Sequence, residues 1–209
     1  MILKAVLFLL AGYLIGSIPW ALIIGKVFYN TDIREQGSGN LGATNAGRVL
    51  GTKVFYIVAA LDAAKGFIAY MALKQIDPTL ALLTAIGTVL GHCYPLFSNF
   101  KGGKGVATSA GILLAVSLTS FKYFALQVGI PLAFFVGFAL TTQYISLASM
   151  SAFISASVVA WIFNPDKRIA ALLTLLTVFI IYKHKANIHR LLSHTENKFS
   201  LVKKKGSLK

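Results

Sequence analysis

The stretch Val54–Leu73, VFYIVAALDAAKGFIAYMAL, fixes the class of this protein. Its twenty residues carry only two charges, Asp62 and Lys65, and an apolar α-helix of about 20 residues spans the core of a bilayer. Across the 209 residues, 56% are hydrophobic and 12% are charged, whereas about a quarter of a soluble domain is charged. The sequence therefore predicts an all-α polytopic membrane protein, with residues 1–209 forming a single domain.

Apolar segments recur along the whole chain, and seven of them are predicted to be transmembrane helices. They are Ile2–Tyr29, Val54–Leu73, Thr79–Leu96, Val106–Ser120, Tyr123–Leu140, Tyr144–Phe163 and Ile169–Tyr182. The last segment is short and only Phe121-Lys122 separates the fourth from the fifth, so five or six spans remain open. Gly12 and Gly16 have the spacing of closely packed transmembrane helices. The first segment lacks an obvious cleavage site and is predicted to be retained.

Lysine and arginine residues are distributed unevenly over the two sides of these seven spans. Fourteen fall on the side of the longer loops and the C-terminal tail, and five fall on the other side. Because cytoplasmic loops are enriched in Lys and Arg, we predict an external N-terminus and a cytoplasmic C-terminus. The membrane surface accounts for the net charge of +14, and nucleic acid is not an expected partner. The tail lysines Lys203–Lys205 and Lys209 are interpreted as a polybasic lipid anchor.

The first cytoplasmic loop reads TDIREQGSGNLGATNAGRVLG (Thr31–Gly51) and collects glycines, small polar side chains and two arginines. Glycine allows close approach of the backbone to a ligand, and small hydroxyl and amide groups donate hydrogen bonds. Arginine binds phosphate through two parallel hydrogen bonds. We therefore favour an anion site over a merely flexible polar loop. The candidate residues are Gly37, Ser38, Gly39, Asn40, Thr44, Asn45 and Arg48.

A second glycine-rich stretch, KGGKG (Lys101–Gly105), directly precedes the fourth apolar segment. Successive glycine N–H groups form anion-binding nests, and the helix that follows adds its positive N-terminus. The stretch is not a Walker A loop, because Gly105 stands where that motif has Ser or Thr after the lysine. We predict phosphate binding by Gly102, Gly103, Lys104 and Gly105, with a positive-inside loop as the alternative.

His92 and Cys93 lie near the end of the third segment. Adjacent helix positions point in different directions, so a Cys–His dyad is not expected. Asp62 and Lys65 are three residues apart on one helical face and are interpreted as an ion pair with a structural or site-orienting role.

The tail carries further polar candidates that are predicted to close a site over the two loops, namely Asn187, His189 and Glu196. His184, His189 and His194 recur every five residues. That spacing does not stack them on one helical face, so neither a metal site nor a cofactor is expected.

Three motifs fall on the predicted cytoplasmic side: GSGNLGATNAGR (Gly37–Arg48), GHCYPLFSNFKGGKGVAT (Gly91–Thr108) and NIHRLLSHTENK (Asn187–Lys198). Together with LDAAKG (Leu61–Gly66), they resemble the motifs of the bacterial acyl-phosphate:glycerol-3-phosphate acyltransferases, and the match in length, hydropathy and motif order covers essentially the whole chain. One departure is His194, where the family pattern implies a glycine before Thr195-Glu196. This departure concerns the local turn.

The resemblance implies transfer of a fatty acyl group from acyl phosphate to the 1-hydroxyl of glycerol 3-phosphate, at the cytoplasmic face of a bacterial inner or plasma membrane. The implied partners are acyl phosphate, glycerol 3-phosphate and membrane lipids, and the protein is expected to be a monomer. Ser38, Asn40, Arg48, Lys104 and His189 are the expected catalytic residues, and His92 joins the substrate-binding set.

Several alternatives stay open at this point. The sequence does not fix which loop holds which substrate phosphate. Direct transfer is hypothesised, with a covalent acyl adduct at Ser38 as the alternative. An organophosphate transporter is a rival class, and it predicts inverted internal repeats that the sequence does not show.

Overall fold

The computed structural model describes residues 1–199, except for the side chains of residues 119–121, and its regular structure over that range is helical. The α-helices are α1 Ile2–Gly16, α2 Trp20–Tyr29, α3 Ala43–Leu50, α4 Thr52–Lys74, α5 Ala81–Cys93, α6 Val106–Ser117, α7 Phe124–Thr142, α8 Ile145–Phe163, α9 Lys167–Lys183 and α10 Lys185–Leu192. Short 3₁₀ helices cover Ile33–Glu35, Leu96–Ser98 and Leu118–Tyr123. The predicted polybasic anchor, Lys203–Lys205 and Lys209, lies outside the described residues.

Within residues 1–199, five helical regions are long and apolar enough to cross a membrane. They are Ile2–Tyr29, Thr52–Lys74, Ala81–Ser98, Phe124–Thr142 and Ile145–Phe163. A sixth span results if α9 and α10, which are bent by 59° against each other, are taken together. Helix α6 has only 12 residues, about 18 Å, against a bilayer core of about 30 Å. The structure thus agrees with the alternative of five or six spans, and the count of seven stays a prediction.

Glycines allow two helix pairs to approach backbone to backbone. A methyl group at Gly12 or Gly16 of α1 would overlap a backbone carbonyl oxygen of α5. The same holds for Gly66 of α4 against α6 and for Gly111 of α6 against α4. The prediction of close helix packing at Gly12 and Gly16 is confirmed. Glycines also allow α4 and α6, which flank the candidate site described below, to pack closely.

The first apolar region is broken between α1 and α2. Pro19, which has no N–H group, stands at the N-cap of α2 and interrupts the helical hydrogen bonding. The carbonyl of Ile18 therefore faces out of the helix and accepts hydrogen bonds from the Trp20 N–H at 3.2 Å and from Lys65 Nζ at 3.1 Å. The break thus provides an anchor for a charged side chain of α4.

The tail returns across those ends of the helices that are predicted to be cytoplasmic. The N–H of Phe199 donates to the carbonyl of Gln143 between α7 and α8 at 2.9 Å. The Phe199 ring packs against the ring of Phe55 on α4, with centroids 5.1 Å apart. The described part of the tail is therefore fixed by α10 at its start and by Phe199, its last described residue.

Candidate active site

A cavity of about 460 Å³ lies between α3, α4, α6, α7 and α8 and is closed by the tail. Its wall is mostly apolar, and its polar side chains gather where α6 begins. Small residues leave the apolar space open, among them Ala59 and Ala63 of α4 and Ala107 and Ala110 of α6. The cavity can therefore hold a molecule with one polar end and one long apolar part.

Many of the residues predicted from sequence meet at the polar end of this cavity. Those that line it are Ser38, Asn40, Thr44, Asn45, Arg48, His92, Lys104, Asn187 and Glu196. The predicted residues outside the lining are Gly37, Gly39, Gly102, Gly103, Gly105 and His189. The three motifs, which lie up to 160 residues apart, thus form one site in the folded chain.

The part of the first cytoplasmic loop that precedes α3, Thr31–Gly42, is called the first loop below. One side chain from α3 holds it in shape. The Asn45 amide accepts the Ser38 N–H at 2.8 Å and donates to the carbonyls of Ile33 at 3.2 Å and Gln36 at 3.1 Å. Asn45 is buried and both ends of its amide are engaged. Asn45 therefore acts as a clamp that positions Ser38, whereas the sequence predicted that its amide donates directly to a ligand.

Two glycines of the first loop have a structural reason for their identity. Gly37 and Gly39 have φ angles of +61° and +67°, in the left-handed region that side chains disfavour. Glycine at these positions thus shapes the loop; neither residue lines the cavity, and their role in ligand binding stays a prediction.

Helix α3 presents Thr44 and Arg48 to the cavity from one face, because they are four residues apart. The Arg48 guanidinium donates from Nη2 to the carbonyl of Asn197 at 3.0 Å. Among residues 1–199, the other guanidinium nitrogens have no hydrogen-bond partner, so they can bind an anion, since arginine has five N–H donors.

The KGGKG stretch, called the glycine loop below, rests on the end of α5. The Gly103 N–H donates to the carbonyl of His92 at 3.0 Å, and a side chain at Gly103 would overlap the His92 imidazole. A side chain at Gly102 would overlap the His92 carbonyl. Packing against His92 thus requires glycine at both positions, and phosphate binding by these glycines stays a prediction.

The two loops contact each other through the Asn40 amide and through the Leu41 N–H, which also donates to the Gly102 carbonyl, at 3.4 Å. Asn40 Nδ2 donates to the carbonyl of Gly102 at 3.1 Å, and Asn40 Oδ1 accepts the Gly42 N–H at 3.0 Å. Gly105, at φ +82°, then caps the start of α6. Asn40 therefore connects the loops. The N–H groups in the first turn of α6 have no acceptor within the helix, and this turn lies at the cavity.

Lys104 extends from the glycine loop into the cavity and meets the tail. Its Nζ donates a hydrogen bond to Asn187 Oδ1. Burial lowers the pKa of Lys104 to about 8, since desolvation penalises the charged form and outweighs the attraction of Glu196. A partly buried cation that lines a cavity is a strong anchor for phosphate.

Glu196 organises the tail beneath Lys104. Its Oε1 accepts Asn187 Nδ2 at 2.6 Å and the Ser146 hydroxyl at 2.7 Å, and its Oε2 accepts Arg190 Nε at 2.7 Å. Desolvation by burial raises the pKa of Glu196, but these three hydrogen bonds outweigh it, so the net pKa lies below the ordinary value. The carboxylate is therefore charged and braces Asn187 against Lys104.

Two histidines of the C-terminal region differ in their position relative to the cavity. His184 lines the cavity, buried, with Nδ1 donating to the Ile180 carbonyl at 2.8 Å. His189 is exposed on α10 and does not line the cavity. The sequence contains an indication for His184, because His184 precedes Asn187 by three residues and residues three apart lie on the same face of a helix.

The predicted ion pair of α4 is confirmed. Asp62 Oδ1 lies 2.8 Å from Lys65 Nζ and 3.4 Å from His92 Nδ1, and all three side chains are buried. Asp62 and His92 both line the cavity. Cys93 is buried and is not among the lining residues, which gives a nucleophilic role no support.

Two further points concern metals and the tail turn. In the described part of the chain, no group of three His, Cys, Asp or Glu side chains could hold a metal ion. His194, where the family pattern implied glycine, has a φ of +57°. That value confirms a turn in the left-handed conformation, which explains why glycine suits the position.

Comparison with known proteins points to one family. The family model described as glycerol-3-phosphate acyltransferase matches residues 6–194. A glycerol-3-phosphate acyltransferase of Bacillus cytotoxicus is 45% identical over 202 residues, which cover 95% of this chain and 96% of that protein. A glycerol-3-phosphate acyltransferase 2 of Bacillus cereus is 44% identical, covering 98% of this chain and 99% of that protein.

Two solved structures share the fold. Both are crystal structures of PlsY (YgiH), described as an integral membrane glycerol 3-phosphate acyltransferase. The glycerol 3-phosphate form has a TM-score of 0.84 at 37% identity, covering 94% of this chain and 96% of that one. The lysophosphatidic acid form has a TM-score of 0.82 at 36% identity, with the same coverage of 94% and 96%.

Proposed function

The chain belongs to the glycerol-3-phosphate acyltransferase family of integral membrane enzymes, and we propose that it transfers a fatty acyl group from an acyl phosphate to the 1-hydroxyl of glycerol 3-phosphate. The products are 1-acylglycerol 3-phosphate and inorganic phosphate, which places the reaction in phospholipid biosynthesis. The observation that carries the proposal is one cavity with cations at its polar end and an apolar wall beyond them.

Both substrates of this reaction carry a phosphate, and the cavity offers two cations from separate elements. Lys104 comes from the glycine loop and Arg48 from α3. We assign the phosphate of glycerol 3-phosphate to Lys104 and the N-terminus of α6, where a buried ammonium adds to the helix dipole. We assign the acyl phosphate to Arg48 with Ser38, Asn40 and Thr44, whose small donors suit phosphate and carbonyl oxygens.

The apolar wall accounts for the acyl chain. Ala107 and Ala110 of α6 and Ala59 and Ala63 of α4 line the cavity from two helices that pack side by side. Small side chains on both helices leave a channel that an alkyl chain fills without displacing larger groups. A coenzyme A donor would bring a nucleotide in addition to its chain, whereas acyl phosphate needs only the two features that the cavity has.

Direct transfer requires few groups from the protein. The 1-hydroxyl oxygen attacks the acyl carbonyl carbon, the carbon–oxygen bond to phosphate breaks, and a phosphate oxygen takes the hydroxyl proton. Phosphate is a good leaving group, so holding both reactants in register and stabilising the oxyanion supply most of the catalysis. Among residues 1–199, no base is hydrogen-bonded to the Ser38 hydroxyl, which favours direct transfer over an acyl-Ser38 intermediate.

The surrounding membrane arrangement belongs to the same proposal. Seven spans, an external N-terminus and a cytoplasmic C-terminus place both loops and the tail on the cytoplasmic face. We further propose that the enzyme acts as a monomer in the bacterial plasma membrane. Cysteine labelling from either side of sealed vesicles, at Leu3→Cys and at Lys185→Cys, tests the orientation; accessibility of both from one side would overturn it.

The activity is tested with purified enzyme in detergent, palmitoyl phosphate and glycerol 3-phosphate. We expect phosphate release that depends on glycerol 3-phosphate, with stoichiometric acylglycerol phosphate by mass spectrometry. Release without acceptor would indicate a hydrolase, and turnover of palmitoyl-CoA but not palmitoyl phosphate would overturn the donor assignment. A palmitoyl mass on the Ser38 peptide after rapid quenching would overturn direct transfer.

A further inference from the structure

Asp62 has an oxygen that the structure leaves unused. Its carboxylate is 99% buried at the middle of α4 and lines the cavity. Oδ1 contacts Lys65 Nζ at 2.8 Å and His92 Nδ1 at 3.4 Å. Oδ2 is buried as well and has no hydrogen-bond partner within the described range 1–199. One half of the carboxylate is thus fixed by protein, and the other half is unsatisfied.

An unsatisfied buried carboxylate oxygen destabilises a protein, and native structures keep very few of them. Its position on a substrate cavity indicates that a bound molecule supplies the missing donor. A carboxylate only accepts hydrogen bonds, and its charge repels phosphate. The partner of Asp62 Oδ2 is therefore a hydroxyl group and not the phosphate of either substrate.

The surroundings place this oxygen beside the acceptor site. The His92 imidazole, which faces Asp62 through Nδ1, packs against Gly103 on its other side. Lys104, the proposed phosphate anchor, directly follows Gly103. One imidazole ring thus separates Asp62 from the glycine loop, so a small molecule held by phosphate at Lys104 can direct a hydroxyl toward Asp62.

Glycerol 3-phosphate has two hydroxyl groups, and the ion pair decides between them. Lys65 holds Asp62 Oδ1 and is itself anchored by the Ile18 carbonyl at 3.1 Å. A carboxylate whose other oxygen is held by a fixed ammonium keeps one position and can hold a hydroxyl group in a fixed orientation. Such a site suits the hydroxyl that does not react.

On the basis of the proposed function, we infer that Asp62 Oδ2 accepts a hydrogen bond from the 2-hydroxyl of glycerol 3-phosphate. This contact orients the acceptor so that its 1-hydroxyl faces the acyl carbonyl. Asp62 is thus a specificity-determining residue, which distinguishes glycerol 3-phosphate from phosphorylated alcohols that lack the second hydroxyl.

The first test uses the wild-type enzyme with two acceptors, glycerol 3-phosphate and 3-hydroxypropyl phosphate. The analogue keeps the phosphate and the primary hydroxyl and lacks only the 2-hydroxyl. We expect kcat/KM to be about 10- to 100-fold lower for the analogue, because a hydrogen bond to a charged acceptor is lost. Equal use of both acceptors would overturn the inference. Failure with both acceptors would instead count against the proposed function.

The second test compares Asp62→Asn, which keeps the shape but presents an amide N–H₂ group in place of Oδ2. We expect the variant to lose activity toward glycerol 3-phosphate and to change little toward the analogue, so that the preference falls to about threefold or less. Retention of the full preference would contradict a role for Asp62. Glu35→Gln, at an exposed carboxylate of the first loop, is the control and should keep the wild-type ratio.

Removal of Asp62 alone leaves the Lys65 ammonium buried without its partner, which endangers folding. The double variant Asp62→Asn/Lys65→Met removes both charges and is the version to assay if the single variant does not accumulate. The same collapse of the acceptor preference is expected, and an unchanged preference in the double variant would overturn the inference.

Discussion

The two loops at the cavity are held in place by different means. The first loop takes its shape mainly from groups nearby in sequence, because Asp32 caps the 3₁₀ helix Ile33–Glu35 and the Asn45 amide satisfies three backbone groups of the loop. The glycine loop depends on groups that are distant in sequence: the His92 carbonyl below it, the Asn40 amide beside it and Asn187 at the end of Lys104. One loop is organised locally, and the other is organised by the tertiary structure.

Because the two loops are held differently, substitutions in them should have different effects on stability and on substrate binding. Damage to a local clamp should loosen the loop and affect both substrates and stability together. Removal of a charge that a tertiary arrangement holds at the cavity, such as the Lys104 ammonium, should affect one substrate and leave the fold intact. The tail connects the two cases, since it contacts Lys104 through Asn187 and Arg48 through the Asn197 carbonyl.

The largest effect is expected for Lys104→Ala. Loss of a buried charge-assisted contact to phosphate should lower kcat/KM for glycerol 3-phosphate about 100-fold or more. The KM for palmitoyl phosphate should change less than about threefold, because Arg48 and the first loop stay in place. Steady-state kinetics in detergent, with each substrate varied in turn, measures both values.

Lys101→Ala is the matched control for that variant. Lys101 belongs to the same loop, but its side chain is exposed and it does not line the cavity. Its removal should change kcat/KM by no more than about twofold. If the two lysine variants behaved alike, the loop would act through its general positive charge and the assignment of Lys104 would be wrong.

The second prediction concerns the local clamp. Asn45→Ala leaves the Ser38 N–H and the carbonyls of Ile33 and Gln36 without their partner. The cost of about 2–3 kcal/mol should lower the midpoint of thermal unfolding by about 5–10 °C. The apparent affinity for both substrates should fall together, in contrast to Lys104→Ala. Differential scanning fluorimetry and kinetics measure the two effects.

Gln36→Ala serves as the control, since the Gln36 side chain is exposed and only its carbonyl takes part in the clamp. Its unfolding midpoint should stay within about 1 °C of the wild type. A normal midpoint for Asn45→Ala would show that the first loop does not depend on the clamp.

The helices were predictable from the sequence wherever the chain is expected to lie in lipid. Each of the seven apolar segments contains a helix, because backbone groups in a bilayer must be satisfied within the segment. The lengths were less predictable. Val106–Ser120 gives an α-helix only to Ser117, after which the 3₁₀ helix Leu118–Tyr123 leads to α7. That change depends on the neighbouring helices and not on composition.

The site was predictable as a gathering of motifs, and less so in its individual roles. Charge asymmetry and three polar stretches were enough to bring Lys104, Arg48 and Glu196 to one place. The choice of His184 over His189 depends on the 59° bend between α9 and α10, which the sequence does not specify. The roles of Asn45 and Gly103 depend on their contacts with loop backbone and with an imidazole from another helix.

The third prediction contrasts the two cations through pH. Burial lowers the pKa of Lys104 to about 8, and only the protonated form attracts phosphate. As pH rises through this value the charge is lost, so kcat/KM for glycerol 3-phosphate should fall up to about tenfold per pH unit above 8. Lys104→Arg keeps its charge and should remove this fall. Superimposable profiles from pH 6 to 10 for the two enzymes would contradict the assignment.

The smallest effect is expected where the tail turns. His194 has a φ of +57°, and glycine adopts this conformation without the strain that a side chain brings. His194→Gly should therefore raise stability by about 0.5–1 kcal/mol, or about 2–3 °C in the unfolding midpoint, after the higher chain entropy of glycine is subtracted. Activity should stay within about twofold, because His194 is exposed and does not line the cavity.

Ser193→Gly provides the opposite case one residue earlier. Its φ of −89° is one that any residue adopts, so glycine there brings no relief of strain. It brings the entropy cost and removes the hydroxyl that donates to the His189 carbonyl and pairs with the Thr195 hydroxyl, so it should lower the midpoint. A gain for His194→Gly together with a loss for Ser193→Gly would assign the effect to the left-handed turn. Equal shifts of both variants would mean that the turn is relaxed in the enzyme, and that the tail needs no strained residue to bring Glu196 beneath Lys104.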